Sequence, residues 1–299
     1  MASRSEVKRG CPYRGHMLRV TSTVPEYLRL NELGRNPREI DWVTGYEAEH
    51  ADVFAIYYDG YGNRSGRANA AALVPELAPR IAARESRALE TVESAAADLA
   101  NRRLIEPDVD LPVVMMVGTG HSDGWVTVVG DGPVLFLALE MLRDPVRDEI
   151  LVTHELVHVI HVRSLLPLLA EWPDLENGVG MRVWLEGLAV AATRLLRPGH
   201  PDTDYLFASD DQWIRDCRAA LPEISRALLP HLTVSDPAIC YSLCGVTHDQ
   251  PWPSRAGYWV GDQVVGELLD AGHELSELIT WGPERTGRAF RESSLLSAP

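Results

Sequence analysis

The chain changes texture three times along its length. Over residues 79–103 apolar side chains recur at helical spacing (Ile81, Leu89, Val92, Ala96, Leu99) while Glu, Arg and Asp fill the other face, which predicts an amphipathic helix. No other element is predicted in the first hundred residues; residues 1–70 read as a polar, basic N-terminal arm followed by an irregular segment. Three short apolar runs follow, at 113–117, 126–129 and 134–137. Gly118, Gly120, Asp123, Gly124, Gly130, Asp131, Gly132 and Pro133 punctuate them, the pattern of short strands joined by tight turns.

Helical periodicity returns at Asp144. That residue can cap, Pro145 suits the first helical position, and Asp148 and Glu149 favour the positive end of the helix dipole, so a helix is expected to about residue 163. A loop at 166–180 leads to a second, more apolar helix over 181–196, stopped by Pro198-Gly199. Ser209 with Gln212 forms a capping box before a helix to about residue 220. A last helix covers 257–270, where Gly257 and Gly261, four apart, let a neighbouring backbone come close. This order predicts an α+β fold with segregated elements, a small twisted sheet followed by a mainly helical C-terminal part. The expected organisation is one domain over residues 71–299, its halves being 71–163 and 164–299.

Composition narrows the chemistry. The 299 residues hold 28 Lys+Arg against 43 Asp+Glu, a net charge of −15, and Lys8 is the only lysine. Schiff-base, pyridoxal-phosphate and P-loop lysines are thereby excluded from the body of the fold. The acid excess argues against nucleic-acid or anionic-membrane partners, which require a basic surface. Cys11, Cys217, Cys240 and Cys244 are too few and too scattered for a disulfide scaffold. The N-terminal residues lack the apolar stretch of a secretory signal, and no run approaches the roughly 18 apolar residues of a membrane span. A cytoplasmic location is expected.

Within the capped helix stands His154-Glu155-Leu156-Val157-His158, an H-E-x-x-H sequence. Histidines four apart share one helix face and can ligate one metal ion, and the intervening glutamate can act as general base on a metal-bound water. Uncharged neighbours from Leu151 to Ile160 place these polar groups in an apolar frame, where a metal would satisfy them. A third ligand is needed, and Glu186 is the expected one: it is a lone carboxylate in Val183-Trp184-Leu185-Glu186-Gly187-Leu188-Ala189, with Gly187 leaving room for the first helix. Glu171, Asp174 and Glu176 are the alternatives, in the loop. His161 lies one turn beyond His158, and Ser164 occupies the position where a metzincin carries its third histidine.

An H-E-x-x-H helix followed by Glu186-Gly187-Leu188-Ala189 on a second helix resembles the gluzincin zinc metallopeptidases, most of all an uncharacterised bacterial family of zinc-dependent proteases. The likeness runs from about residue 113 to 281 and includes Gly257-Tyr258-Trp259-Val260-Gly261 and Leu278-Ile279-Thr280-Trp281. It implies a zincin-like fold with His154, His158 and Glu186 as zinc ligands. It further implies an edge strand along the substrate, here 134–137, and an oxyanion donor from a later segment, Tyr258 first and His248 second. Val190 replaces the acid that many gluzincins place a turn after the third ligand, so second-shell support falls to another residue such as Asp148.

The leading expectation is a zinc-dependent hydrolase of peptide or other amide bonds, with Glu155 and Tyr258 as catalytic residues and a peptide or small molecule as substrate. Two alternatives stay open. The same triad suits Fe(II) in a 2-oxoacid-dependent oxygenase, with Arg182 or Arg194 holding the co-substrate carboxylate, or it stabilises a non-catalytic binding module. Cys240 and Cys244 with His248 form a weaker candidate for a second metal, and His121 is a candidate cleft residue. Oligomeric state is not legible.

Overall fold

The computed structural model describes residues 7–10, 17–106, 109–170 and 178–296. The chain divides into two compact units, residues 1–159 and 160–299. It is an α+β protein, as expected, but its units do not coincide with the expected single domain over 71–299.

The first unit begins with β1 (Val7–Gly10) and β2 (Met17–Ser22), then α1 (Val24–Asn31), α2 (Glu39–Gly45), α3 (Ala51–Tyr57), α4 (Arg67–Ala72) and the long α5 (Val74–Asn101). The sheet continues with β3 (Asp110–Met116), β4 (Gly124–Val129) and β5 (Gly132–Ala138), and α6 (Pro145–Leu165) starts in this unit. The expectation of an irregular 1–70 is therefore corrected for the described residues. Strand β2 pairs in parallel with β3, Leu18 opposite Leu111 and Val20 opposite Val113. Its partner lies about ninety residues downstream, so local pattern could not reveal it. Helix α5 also begins a turn before the expected Pro79, with Pro75 taking the N-terminal slot and Pro79 inside the helix.

The strands run in the order β1-β2-β3-β5-β4. The pairs β2–β3 and β3–β5 are parallel, β1–β2 and β5–β4 antiparallel. Residues 134–137, the expected substrate edge, are thus internal: β5 is covered by β3 on one side and β4 on the other. The reason is the Gly130–Gly132 turn, which folds β4 back along β5 and leaves β4 outermost. Trp125 fixes β4 by stacking on Phe136, centroids 5.1 Å apart, and on Tyr61 at 4.8 Å.

The N-terminal helices hold the far end of β3. Tyr27, Trp42, Tyr46 and Phe54 pack edge-to-face, centroids 4.9 to 6.0 Å apart. The Tyr46 hydroxyl accepts from the Val117 N–H at 2.9 Å, and the Tyr57 hydroxyl accepts from the Thr119 N–H at 2.8 Å. Glu140, buried behind them, accepts from the N–H groups of Gly118 at 2.8 Å and Gly120 at 3.1 Å. The loop between β3 and β4 is thereby pinned from both sides.

The second unit holds α7 (Val179–Leu196), α8 (Asp202–Tyr205), α9 (Asp211–Ala219), α10 (Leu221–Leu228), α11 (Pro237–Cys244), α12 (Ala256–Asp270), α13 (Leu275–Leu278) and α14 (Pro283–Glu292). Its centre is the α7–α12 pair. A methyl group on Gly261 would stand 2.2 Å from the Val183 carbonyl oxygen, and one on Gly187 would stand 2.0 Å from the Gly261 carbonyl carbon. Backbone meets backbone here, so the close approach expected at Gly261 is present. Gly187 serves this contact, which corrects the expectation that it makes room for the histidine helix. Helix α9 is capped by Asp210, whose carboxylate accepts from the Gln212 and Trp213 N–H groups at 2.9 and 3.1 Å, in place of the expected Ser209 box. Among the described residues no helix is long and apolar enough to cross a membrane.

Candidate metal centre

Helix α6 forms where the sequence places it. The Asp144 carboxylate accepts from the Val146 and Arg147 N–H groups, both at 3.0 Å, and Pro145 opens the helix. The helix is apolar nearly all round: Ile150, Val152, Leu156, Val157 and Val159 are buried, and so are His154 and Glu155. Such a helix carries polar groups inward only where something receives them.

The Nε2 atoms of His154 and His158 stand 3.1 Å apart, with the two rings nearly perpendicular at 87°. The i, i+4 spacing stacks these side chains on one face, and both rings turn the same nitrogen inward. Glu186, buried on α7, completes the group. The ligand atoms of His154, His158 and Glu186 all lie within 4.8 Å of one another, and among the described residues no other such group occurs.

Two ligands about 2.05 Å from a tetrahedral ion stand about 3.3 Å apart, and the histidine nitrogens at 3.1 Å are close to that separation. Two imidazoles and one carboxylate are the donor set of catalytic zinc sites, which keep a fourth position open. The residues fit a divalent ion.

Several further side chains stand near members of the H-E-x-x-H sequence or Glu186. Glu155 lies against the start of β4: a methyl group on Gly124 would stand 2.9 Å from the Glu155 Cγ. This juxtaposition of edge strand and glutamate is invisible to the sequence pattern, where Gly124 reads as turn punctuation. Arg182, one turn before Glu186 on α7, brings Nε to 3.7 Å from the Glu186 carboxylate.

Tyr258 lies half-buried in the first turn of α12. Burial and the Glu186 carboxylate push its phenol well above the usual range. The residue that precedes α12, Arg255, has φ 62°, a left-handed conformation that costs energy for a side chain of this size.

Other expectations are corrected. Asp148 does not support the histidines: it accepts from Arg87 Nη2 at 2.9 Å and from the Arg143 N–H at 3.1 Å, fastening the start of α6 to α5. Arg194 is not open to a co-substrate carboxylate, because Asp262, buried on α12, takes two of its N–H groups at 2.5 and 3.1 Å. His248 is exposed, and Cys240, Cys244 and His248 do not come together as a metal group. His161 is buried on α6 but is no member of the triad. His121 is exposed in the turn after β3, its Nδ1 3.2 Å from the Thr119 carbonyl oxygen. Glu171, Asp174 and Glu176 lie outside the described residues.

Comparison of the chain with family models, curated proteins and solved structures finds no match.

Proposed function

We propose that the protein is a zinc-dependent hydrolase of peptide or other amide bonds, with a zincin-like arrangement of sheet edge and histidine helix. The observation that carries this reading is the convergence of the His154 and His158 Nε2 atoms, 3.1 Å apart, on one centre with the Glu186 carboxylate. Zinc bound there would supply a Lewis acid and lower the pKa of a coordinated water.

The chain's own groups have the remaining tasks. Glu155 takes the proton from the attacking water and passes it to the leaving nitrogen, the work of a buried carboxylate close to the reacting atoms. Tyr258 donates a hydrogen bond to the oxygen that gains charge. Arg182 orients Glu186 through its guanidinium. Strand β4 suits an extended substrate: it is the outermost strand next to Glu155, and its Val128 and Val129 side chains are exposed. An added peptide strand would gain backbone hydrogen bonds along that edge.

The test pairs metal analysis with turnover. The protein is expected to hold about one zinc per chain and to cleave a fluorogenic peptide library. Glu155→Gln is expected to keep the metal and lose turnover by about 10²- to 10⁴-fold. His158→Ala is expected to lose both. Full turnover in Glu155→Gln would overturn the general-base assignment. Iron in place of zinc, with oxygen consumed, would transfer the triad to oxygenase chemistry, and a fourth protein ligand would mark a structural site.

A further inference from the structure

A cavity of about 500 Å³ opens in the first unit between α4, α5, the loop after β3 and the segment after β5. None of the metal-triad residues and neither Glu155 nor Tyr258 lines it. The volume lies within the range of small-molecule sites.

Its charge is unusual for this chain. Arg80, Arg84 and Arg143 line the cavity together, in a protein with 15 surplus acids. Among the described residues no ion pair joins any of the three to a carboxylate. Arg84 is only 8% exposed, yet its Nη1 donates to two carbonyl oxygens, those of Leu139 and Glu140, both at 3.1 Å. Those bonds anchor the end of β5 and leave Nε and Nη2 with no partner among the described residues. Burial and the neighbouring charges of Arg143 and Arg80 hold the Arg84 guanidinium below its usual range, against an opposing pull from Asp148.

Two acids also reach the cavity. Glu140 is committed to the Gly118 and Gly120 N–H groups, and Glu76 is exposed on α5. Leu73, Leu77 and Met141 supply an apolar wall. A buried guanidinium with open donors beside two further guanidinia matches the planar, two-pronged geometry of an oxyanion. The wall gives the rest of a ligand an apolar surface to cover.

We propose that this cavity binds a small organic anion, its carboxylate or phosphate head on Arg84, Arg80 and Arg143 and its apolar body against Leu73, Leu77 and Met141. The site is separate from the metal triad and its occupancy does not depend on the hydrolase reading.

Calorimetric titration of the full chain with benzoate, phenyl phosphate and inorganic phosphate tests this. Saturable one-to-one binding of benzoate or phenyl phosphate is expected, and the tighter of the two identifies the head group. Inorganic phosphate is expected to bind at least about tenfold more weakly than phenyl phosphate, for want of the apolar contact. Arg80→Gln with Arg143→Gln, both exposed positions, is expected to weaken binding by at least about tenfold without moving the thermal midpoint. Binding should also fall as salt is raised. The proposal is overturned if no probe saturates, if the double substitution leaves affinity unchanged, or if inorganic phosphate binds as well as phenyl phosphate.

Discussion

Gly124 and Gly187 each stand next to a carboxylate of the candidate centre, and neither has room for a methyl group. The obstacles differ in kind. At Gly187 the missing methyl would meet backbone, the Gly261 carbonyl carbon at 2.0 Å, its Cα at 2.3 Å and the Asp262 nitrogen at 2.5 Å. At Gly124 it would meet a side chain, the Glu155 Cγ at 2.9 Å. Packed helices cannot part to relieve the first clash without losing contacts along their length, whereas a glutamate can rotate away from the second. One glycine allows two helix backbones to meet, and the other leaves space for the Glu155 side chain.

Substitutions at these sites separate the two roles. Gly187→Ala is expected to have the largest effect, a loss of more than about 3 kcal/mol of stability seen in urea unfolding or as failure to obtain soluble protein. A variant that unfolds like the parent would remove the α7–α12 contact from this account. Gly124→Ala should change stability by no more than about 1 kcal/mol, but turnover should fall by about ten- to a hundredfold as Glu155 is displaced, with zinc content unchanged. Combining it with Glu155→Ala sharpens the assignment: if Gly124 acts only through Glu155, the double variant is no slower than Glu155→Ala alone. The smallest effect belongs to a third glycine, Gly266 on α12, around which a methyl group meets nothing within 4 Å. Gly266→Ala is expected to stabilise by about 0.5–1 kcal/mol, read as a higher unfolding midpoint at unchanged turnover.

What was legible in the sequence follows from range. Asp144, Pro145 and the H-E-x-x-H spacing are local, and they produce α6 with its histidines on one face. The carboxylate of Glu186 stands out because α7 is so apolar, and one of its oxygens lies within 4.8 Å of the histidine nitrogens. The pairing of β2 with β3 was hidden because each strand supplies only half of the interaction and the halves lie far apart in the chain. The outermost place of β4 was hidden for a related reason: an apolar run looks the same whether one or two strands flank it. The roles of Asp148 and Arg194 do not follow from the sequence, because a charged residue's role depends on its partner, and Arg87 and Asp262 are distant in sequence.

The sequence by itself determined the identity of the polar groups, their order on each helix and the chemistry their types allow, because helical periodicity and capping act within a few residues. Only the tertiary structure decided which groups meet. It brought Glu186 to the two histidines, set Gly124 against Glu155, gave Gly187 to the α7–α12 contact and gathered Arg80, Arg84 and Arg143 around one cavity. The physical reason is that close approach, burial and charge neutralisation depend on distance in space, which a linear pattern does not encode.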